Sequence, residues 1–270
     1  MERIKKALEK AQEQRQEAVE QNVVVKGDSV GVTKDTQDIE YSKTRKIEVS
    51  EAFLEQNRIV AGLDDPRADL YKILRTKVLQ KMRINNWNVL AVTSPMTGAG
   101  KSLTAVNLAI SIAMDANYSV LLADLDLRRP SIHEYFGVDD ELGLTDYFSG
   151  EKTIPELLVH PGLEKLVVLP AGKPIKRSSD LLSTPKMLEL ANELKQRYPD
   201  RIVVIDLPPL LQTDDAMVFM PNVDACVLVV AEGESTEDDV VRSIQMIDKD
   251  KYIGSILNKS AEESSITEAY

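Results

Sequence analysis

Val89-Leu-Ala-Val-Thr93-Ser94-Pro95-Met96-Thr97-Gly98-Ala99-Gly100-Lys101-Ser102 decides how this chain is read. Val89–Thr93 is an apolar run of strand length. After Ser102 the apolar residues Leu103, Val106, Ile110 and Ala113 return at helical spacing, which predicts a helix over Lys101–Met114. A strand, a tight glycine turn and a helix in succession form the context of a phosphate-binding loop. Its glycines let backbone amides turn inward, and the helix N-terminus adds partial positive charge. In that geometry Thr97, Gly98, Ala99, Gly100, Lys101, Ser102 and Leu103 surround the phosphates of a nucleoside triphosphate, expected to be ATP. Lys101 reaches the β- and γ-phosphates, and Ser102 ligates Mg2+. The pattern G-x-x-x-x-G-K-[ST] is met except at its first position, where Pro95 stands.

Outward from this loop, short apolar runs alternate with helical periods. Asn88–Thr93, Ser119–Leu125, Lys165–Leu169, Arg201–Leu207, Ala225–Ala231 and Ile253–Leu257 are rich in Val, Leu and Ile and lack polar alternation. Such strands are buried on both faces, as in a parallel sheet covered by helices. The expected fold is a doubly wound α/β domain with a mainly parallel sheet, helices on both faces and right-handed crossovers. Before the loop, Pro66 precedes a predicted helix over Arg67–Met82, with Leu70, Ile73, Leu74 and Val78 as its apolar face. Ser235 with Asp238 reads as a capping box.

Two acidic segments follow predicted strands. One is Asp124-Leu-Asp126-Leu-Arg128-Arg129-Pro130, and the other is Asp206-Leu-Pro208-Pro209. Ligands of open α/β sheets bind outside the carboxyl ends of the strands, so all three acids can converge on the loop. Mg2+ on phosphates takes one or two protein carboxylates. Asp206 suits the metal. Asp124 and Asp126 alternate along an extended segment and so face one side. One of them helps hold the metal while the other accepts a proton. Asp214 and Asp215 read as the start of the next helix.

The chain ends are different in kind. Residues 1–20 read as a charged helix with Ile4, Ala7, Leu8 and Ala11 in a narrow stripe, and residues 21–50 read as a polar linker. The expected division is thus an N-terminal extension over 1–50, the phosphate-loop domain over 51–262 and a tail over 263–270. Among 270 residues there is one cysteine, Cys226, which excludes disulfide frameworks and cysteine-rich metal sites. The net charge of −11 disfavours nucleic acid as a partner. No apolar run approaches the length of a transmembrane helix and no secretory leader opens the chain, so a cytoplasmic location without a membrane span of its own is expected.

Taken together, the loop, the aspartate pair and the Asp-x-Pro-Pro ending resemble the Walker A, Walker A′ and Walker B motifs of the bacterial tyrosine kinases of exopolysaccharide synthesis, the BY-kinases. That family's fold is a P-loop NTPase of the deviant Walker type. Related positioning ATPases carry a signature lysine where Met96 stands, so this loop is more similar to the kinases. Further likeness lies in Asp69-Leu-Tyr-Lys72-Ile-Leu-Arg75, similar to the helix through which the family forms rings, and in Ser179-Asp180-Leu-Leu-Ser183. Ile256-Leu-Asn258-Lys259 resembles the stretch whose asparagine meets adenine, and Asn86-Trp87-Asn88 resembles the exosortase-linked subgroup.

The resemblance implies an ATP- and Mg2+-dependent tyrosine autokinase. Lys101, Asp124, Asp126 and Arg128 would serve catalysis, Ser102, Asp124 and Asp206 the metal, and Asn258 the base. Asp69, Lys72 and Arg75 would line a homo-oligomeric ring. Tyr270 is the candidate phosphoacceptor, in place of the family's tyrosine cluster. A membrane chain-length-determinant protein, the polysaccharide co-polymerase, is the implied activator that recruits the chain to the inner membrane face. Two other readings remain: an ATP-hydrolysing switch, and a nucleotide-holding assembly module without kinase activity.

Overall fold

In a computed structural model, residues 44–196 and 201–260 are described. They contain eight strands: β1 (Arg45–Lys46), β2 (Val89–Thr93), β3 (Ser119–Asp124), β4 (Val159–His160), β5 (Leu166–Leu169), β6 (Arg201–Asp206), β7 (Ala225–Ala231) and β8 (Tyr252–Asn258). The helices that matter for the site are α1 (Glu51–Gln56), α2 (Ala68–Ile84), α3 (Lys101–Ala113) and α4 (Ile132–Tyr135). All strands join one sheet in the order β1-β4-β5-β3-β6-β2-β7-β8, and every pairing is parallel except β4 with β5. The expected mainly parallel, doubly wound sheet is present.

Apolar composition explains why the central strands sit where they do. Leu90, Val92, Leu122 and Val204 face the helix layer of α2 and α3, and are fully buried. Their neighbours Ala91, Leu121, Val203 and Ile205 point to the opposite face and are buried as completely, so both faces are covered. α3 is buried all round, with twelve of its thirteen residues covered. It is a core helix rather than an amphipathic surface helix.

Three local expectations change. The apolar face of α2 is rotated: Leu70 is 41% and Ile73 39% exposed, whereas Tyr71, Leu74, Val78, Leu79 and Met82 pack inward. The sequence offers both stripes, and contact with α3 selects the second. The capping box of the helix over Glu237–Met246 is Thr236 with Asp239, one residue beyond the expected pair. Ser235 Oγ instead accepts the Ala231 amide. The polar stretch ending at residue 50 is not all linker, since β1 pairs with β4 and Ile47 and Val49 pack on the core. The expected helix over 1–20, and most of the linker, lie outside the described residues, as does the tail.

Asn107 fastens the segment before α2 to the core. Its side chain is buried on α3. Oδ1 accepts from the amides of Val60 (2.8 Å) and Ala61 (3.0 Å), and Nδ2 donates to Leu103 O (3.0 Å). Asn107→Ala strands two buried amides. The expected loss is about 2–4 kcal/mol of stability in a urea titration, with the midpoint shifted and the slope unchanged.

Candidate active site

Strand register assembles the acids. Asp124 at the end of β3 lies directly opposite Asp206 at the end of β6, and β6 pairs on its other edge with β2, which feeds the loop. Gly98 and Gly100 turn the loop with φ of +84° and +88°, a region closed to most side chains. Gly100 has a second constraint: a Cβ there would lie 2.2 Å from Asn258 Nδ2. Asn258 donates to Ala99 O at 2.8 Å, which ties the end of β8 to the loop. On the other flank, Leu210 N donates to Ser94 O (2.9 Å) and Leu211 N to Pro95 O (3.1 Å). Pro95 therefore contributes its carbonyl to a loop–loop contact, a role that needs no amide hydrogen. Gln212 Nε2, unremarkable in the sequence, reaches Thr97 Oγ1 at 3.3 Å.

Lys101 opens α3 and is buried. Its Nζ lies 2.9 Å from Asp126, 3.1 Å from Asp206 and 3.1 Å from Ser102 Oγ. Ser102 donates to Asp206 Oδ2 at 2.5 Å. Leu103 follows, half-buried against the core. The expectation that Asp124 and Asp126 face one side is not met, because β3 ends at Asp124. Asp126 turns to Lys101. Asp124 turns into its own loop, where Oδ1 accepts from Asp126 N (3.1 Å) and Oδ2 from Ser131 N (2.9 Å) and Ile132 N (3.0 Å). Asp124 thereby shapes the segment that carries Asp126.

Three carboxylates crowd one ammonium. Burial, together with the Asp206 charge, pushes the Asp124 carboxyl up to about 7 against the pull of the amides it accepts. Burial raises Asp206 too, opposed by Lys101 and Ser102. For Lys101, burial is outweighed by Asp206, Asp126 and Asp124, and the ammonium is held well above its ordinary value. With all four groups charged, the cluster carries a net −2. Among the described residues no group of three or more His, Cys, Asp or Glu side chains is arranged to cage a metal. Asp206 and Ser102 instead offer the small ligand set with which Mg2+ sits on phosphates.

Arg128 is the predicted residue whose surroundings the sequence conceals. Its guanidinium does not join the Lys101 cluster. Nε and Nη2 bind the fully buried Asp215 at 3.1 and 3.2 Å, and Ser178 Oγ donates to the same carboxylate. Asp215 does start a short helix, Asp215–Phe219, as expected, but it is also a buried anchor. The charged helix residues lie elsewhere, on α2. Asp69 and Lys72 pair with each other at 2.7 Å on the exposed face, while Arg75 Nη1 donates to Ser111 O on α3. Tyr270 is outside the described residues.

A raised carboxyl pKa sets a stability slope. The folded protein holds the Asp124 proton more tightly than the unfolded chain, so this group's contribution to stability is full below about pH 4 and is lost as pH rises through about 7. Chelator-treated protein is expected to melt at lower temperature at pH 8 than at pH 6. Added Mg2+ should raise Tm more at pH 8, where the cluster is ionised. A Tm gain from Mg2+ that is equal at both pH values would contradict this.

Comparisons with known proteins agree with the geometry. The ParA family model, described as NUBPL iron-transfer P-loop NTPase, matches residues 85–261. EpsB of Ralstonia nicotianae is 32% identical over 187 residues, which are 68% of this chain and 24% of EpsB, so the chain spans about a quarter of that relative. The tyrosine-protein kinase YwqD of Bacillus subtilis is 30% identical over 206 residues, covering 74% of this chain and 86% of YwqD. Among solved structures, the kinase domain of the Escherichia coli tyrosine kinase ETK superposes with a TM-score of 0.70 at 28% identity, over 82% of this chain and 90% of that domain. With its deviant loop, paired acidic strand ends and these relatives, the chain belongs to the BY-kinase family, within the ParA-type P-loop NTPases.

Proposed function

We propose that this chain transfers the γ-phosphoryl group of Mg–ATP to a tyrosine hydroxyl, in the service of exopolysaccharide synthesis. The observation that carries this reading is the convergence of Lys101, Ser102, Asp126 and Asp206 within 3.2 Å contacts at the head of α3. Phosphoryl transfer asks little covalent chemistry of a protein. It asks for positioned charge in a dry site.

Each side chain has a role that follows from its place. Loop amides from Thr97 to Leu103 bind phosphate oxygens, and Lys101 neutralises the charge that develops on them. Ser102 and Asp206 hold Mg2+, whose contribution is to offset charge on the phosphates. Asp126, whose carboxylate reaches Lys101, accepts the proton of the attacking tyrosine. Asp124, tied to three backbone amides, positions Asp126 and keeps the cluster's charge balance. Asn258, beside the loop, faces the base. Arg128 acts from the rim, oriented by Asp215.

The matching family model is named for iron transfer, but the one cysteine does not suit that chemistry. Cys226 is fully buried in β7, and burial pushes its thiol up to about 12, far from thiolate character. Among the described residues no helix is long and apolar enough to cross a membrane. A membrane co-polymerase as activator, and a ring assembled through Asp69, Lys72 and the α2 face, complete the proposal. The exposed Leu70 and Ile73 beside that ion pair support an interface there. Tyr270 is the proposed autophosphorylation site.

The test is phosphotyrosine and released phosphate, measured together with Mg–ATP, with and without the cytoplasmic part of an activator. Lys101→Met is expected to reduce phosphotyrosine by about 10²-fold or more. Tyr270→Phe is expected to remove the autophosphorylation signal while leaving transfer to an added tyrosine peptide. Phosphate release with no phosphotyrosine under any condition would instead assign the site to an ATP-hydrolysing switch.

A further inference from the structure

A cavity of about 510 Å³ opens at the loop that follows Asp126, lined by Arg128, Pro174, Ile175 and Lys176. Its position is set by backbone contact. Ile175 N donates to Leu127 O at 2.8 Å, which holds the 173–177 segment against the loop carrying Asp126. Its composition is two-sided: Pro174 and Ile175 offer apolar surface, and Arg128 and Lys176 offer charge. Arg129, Lys173 and Arg177 add three more cations, and neither stretch, 128–130 or 172–178, contains an acid. Arg177 pairs with Asp180 and Arg128 with Asp215, while Lys173 and Lys176 are exposed. On a chain of net charge −11, this is a local reversal of sign.

Such a lining matches a ligand with apolar bulk and carboxylates together. We propose that it is an acceptor-reading subsite, which binds a peptide whose tyrosine is accompanied by glutamates. Lys176 and Arg128 meet the carboxylates, and Pro174 and Ile175 meet the apolar side chains. The inference rests on the kinase reading and names its substrate class. Residues 261–270 of this same chain have the required chemistry, with Glu262, Glu263 and Glu268 around Ser, Ile and Thr, no basic residue, and Tyr270. Asp215 and Ser178 are positioning residues: they clamp Arg128 at the cavity wall and link the loops that follow β3, β5 and β6. An anionic membrane fits less well, since the rest of the chain is acidic.

The probe is a fluorescent peptide of residues 261–270, compared with versions whose three glutamates are all glutamine or all lysine. Binding is read by anisotropy with Mg–ADP present. Wild type is expected to bind the glutamate peptide about tenfold more tightly than the glutamine peptide, a preference that narrows as salt rises. The Lys173→Glu/Lys176→Glu double variant, checked for an unchanged melt, is expected to lose that preference and to favour the lysine peptide. A charge-reversed rescue of this kind does not follow from a merely structural role. Equal binding of the glutamate and glutamine peptides, no binding of either, or an unchanged preference in the double variant would overturn the proposal. So would adsorption to phosphatidylserine vesicles that the glutamate peptide cannot displace. Phosphotyrosine assayed on the same peptides separates the two readings. Equal phosphorylation and binding of both sinks the subsite alone. A binding preference without phosphotyrosine on any peptide sinks the kinase reading and leaves an acidic-peptide site.

Discussion

A buried ammonium among three carboxylates is the constraint around which this domain is arranged. Lys101 could not be buried with its charge unless anions met it, and Asp126 and Asp206 do so at 2.9 and 3.1 Å. The converse holds as well. Asp124 and Asp206 lie opposite each other on adjacent strands, a like-charge pairing that is unfavourable without a cation between the loops. The excess negative charge that remains favours a cation at the cluster.

The scaffold supplies rigidity on every side of that cluster. Parallel strands with both faces buried fix where β3, β6 and β2 end, to within the register of their hydrogen bonds. The loop after β2 is held from one flank by Leu210 and Leu211 and from the other by Asn258. Asp124 uses both carboxylate oxygens to fold the 125–132 loop over the site, so Asp126 reaches Lys101 from a defined direction. Preorganisation of this kind is what electrostatic catalysis needs, because the charges are in place before the reaction begins.

Around the rim the charges are anchored between loops. Arg128 follows Asp126 by only two residues, yet its guanidinium is turned outward and anchored on Asp215. Three loops meet there, after β3, β5 and β6. The Lys101 cluster and the basic cavity are therefore built on shared segments, joined by the Leu127–Ile175 hydrogen bond and the Arg128–Asp215 pair.

The phosphate loop, the alternation of buried strands with helices, and the candidate acids Asp124, Asp126 and Asp206 were all legible in the sequence. Strand periodicity and turn chemistry are local properties, and local residue order encodes them. The two short strands β1 and β4 were not legible, since two residues carry no period. The inward face of α2 was equally hidden: Leu70–Ile73–Leu74 and Tyr71–Leu74–Val78 are both plausible stripes, and only packing against α3 chooses between them. The same limit applies to Asp215. It reads as a helix-start residue and is one, but its burial under Arg128 and Ser178 depends on loops separated from it by 87 and 37 positions. What the sequence by itself determined is the kind of domain and the loop and acids that meet in it, because both rest on short-range patterns. Which carboxylate faces Lys101, which shapes its own loop, and where the arginine points were decided only by tertiary structure, because charge pairing and burial are settled between segments that the chain order keeps apart.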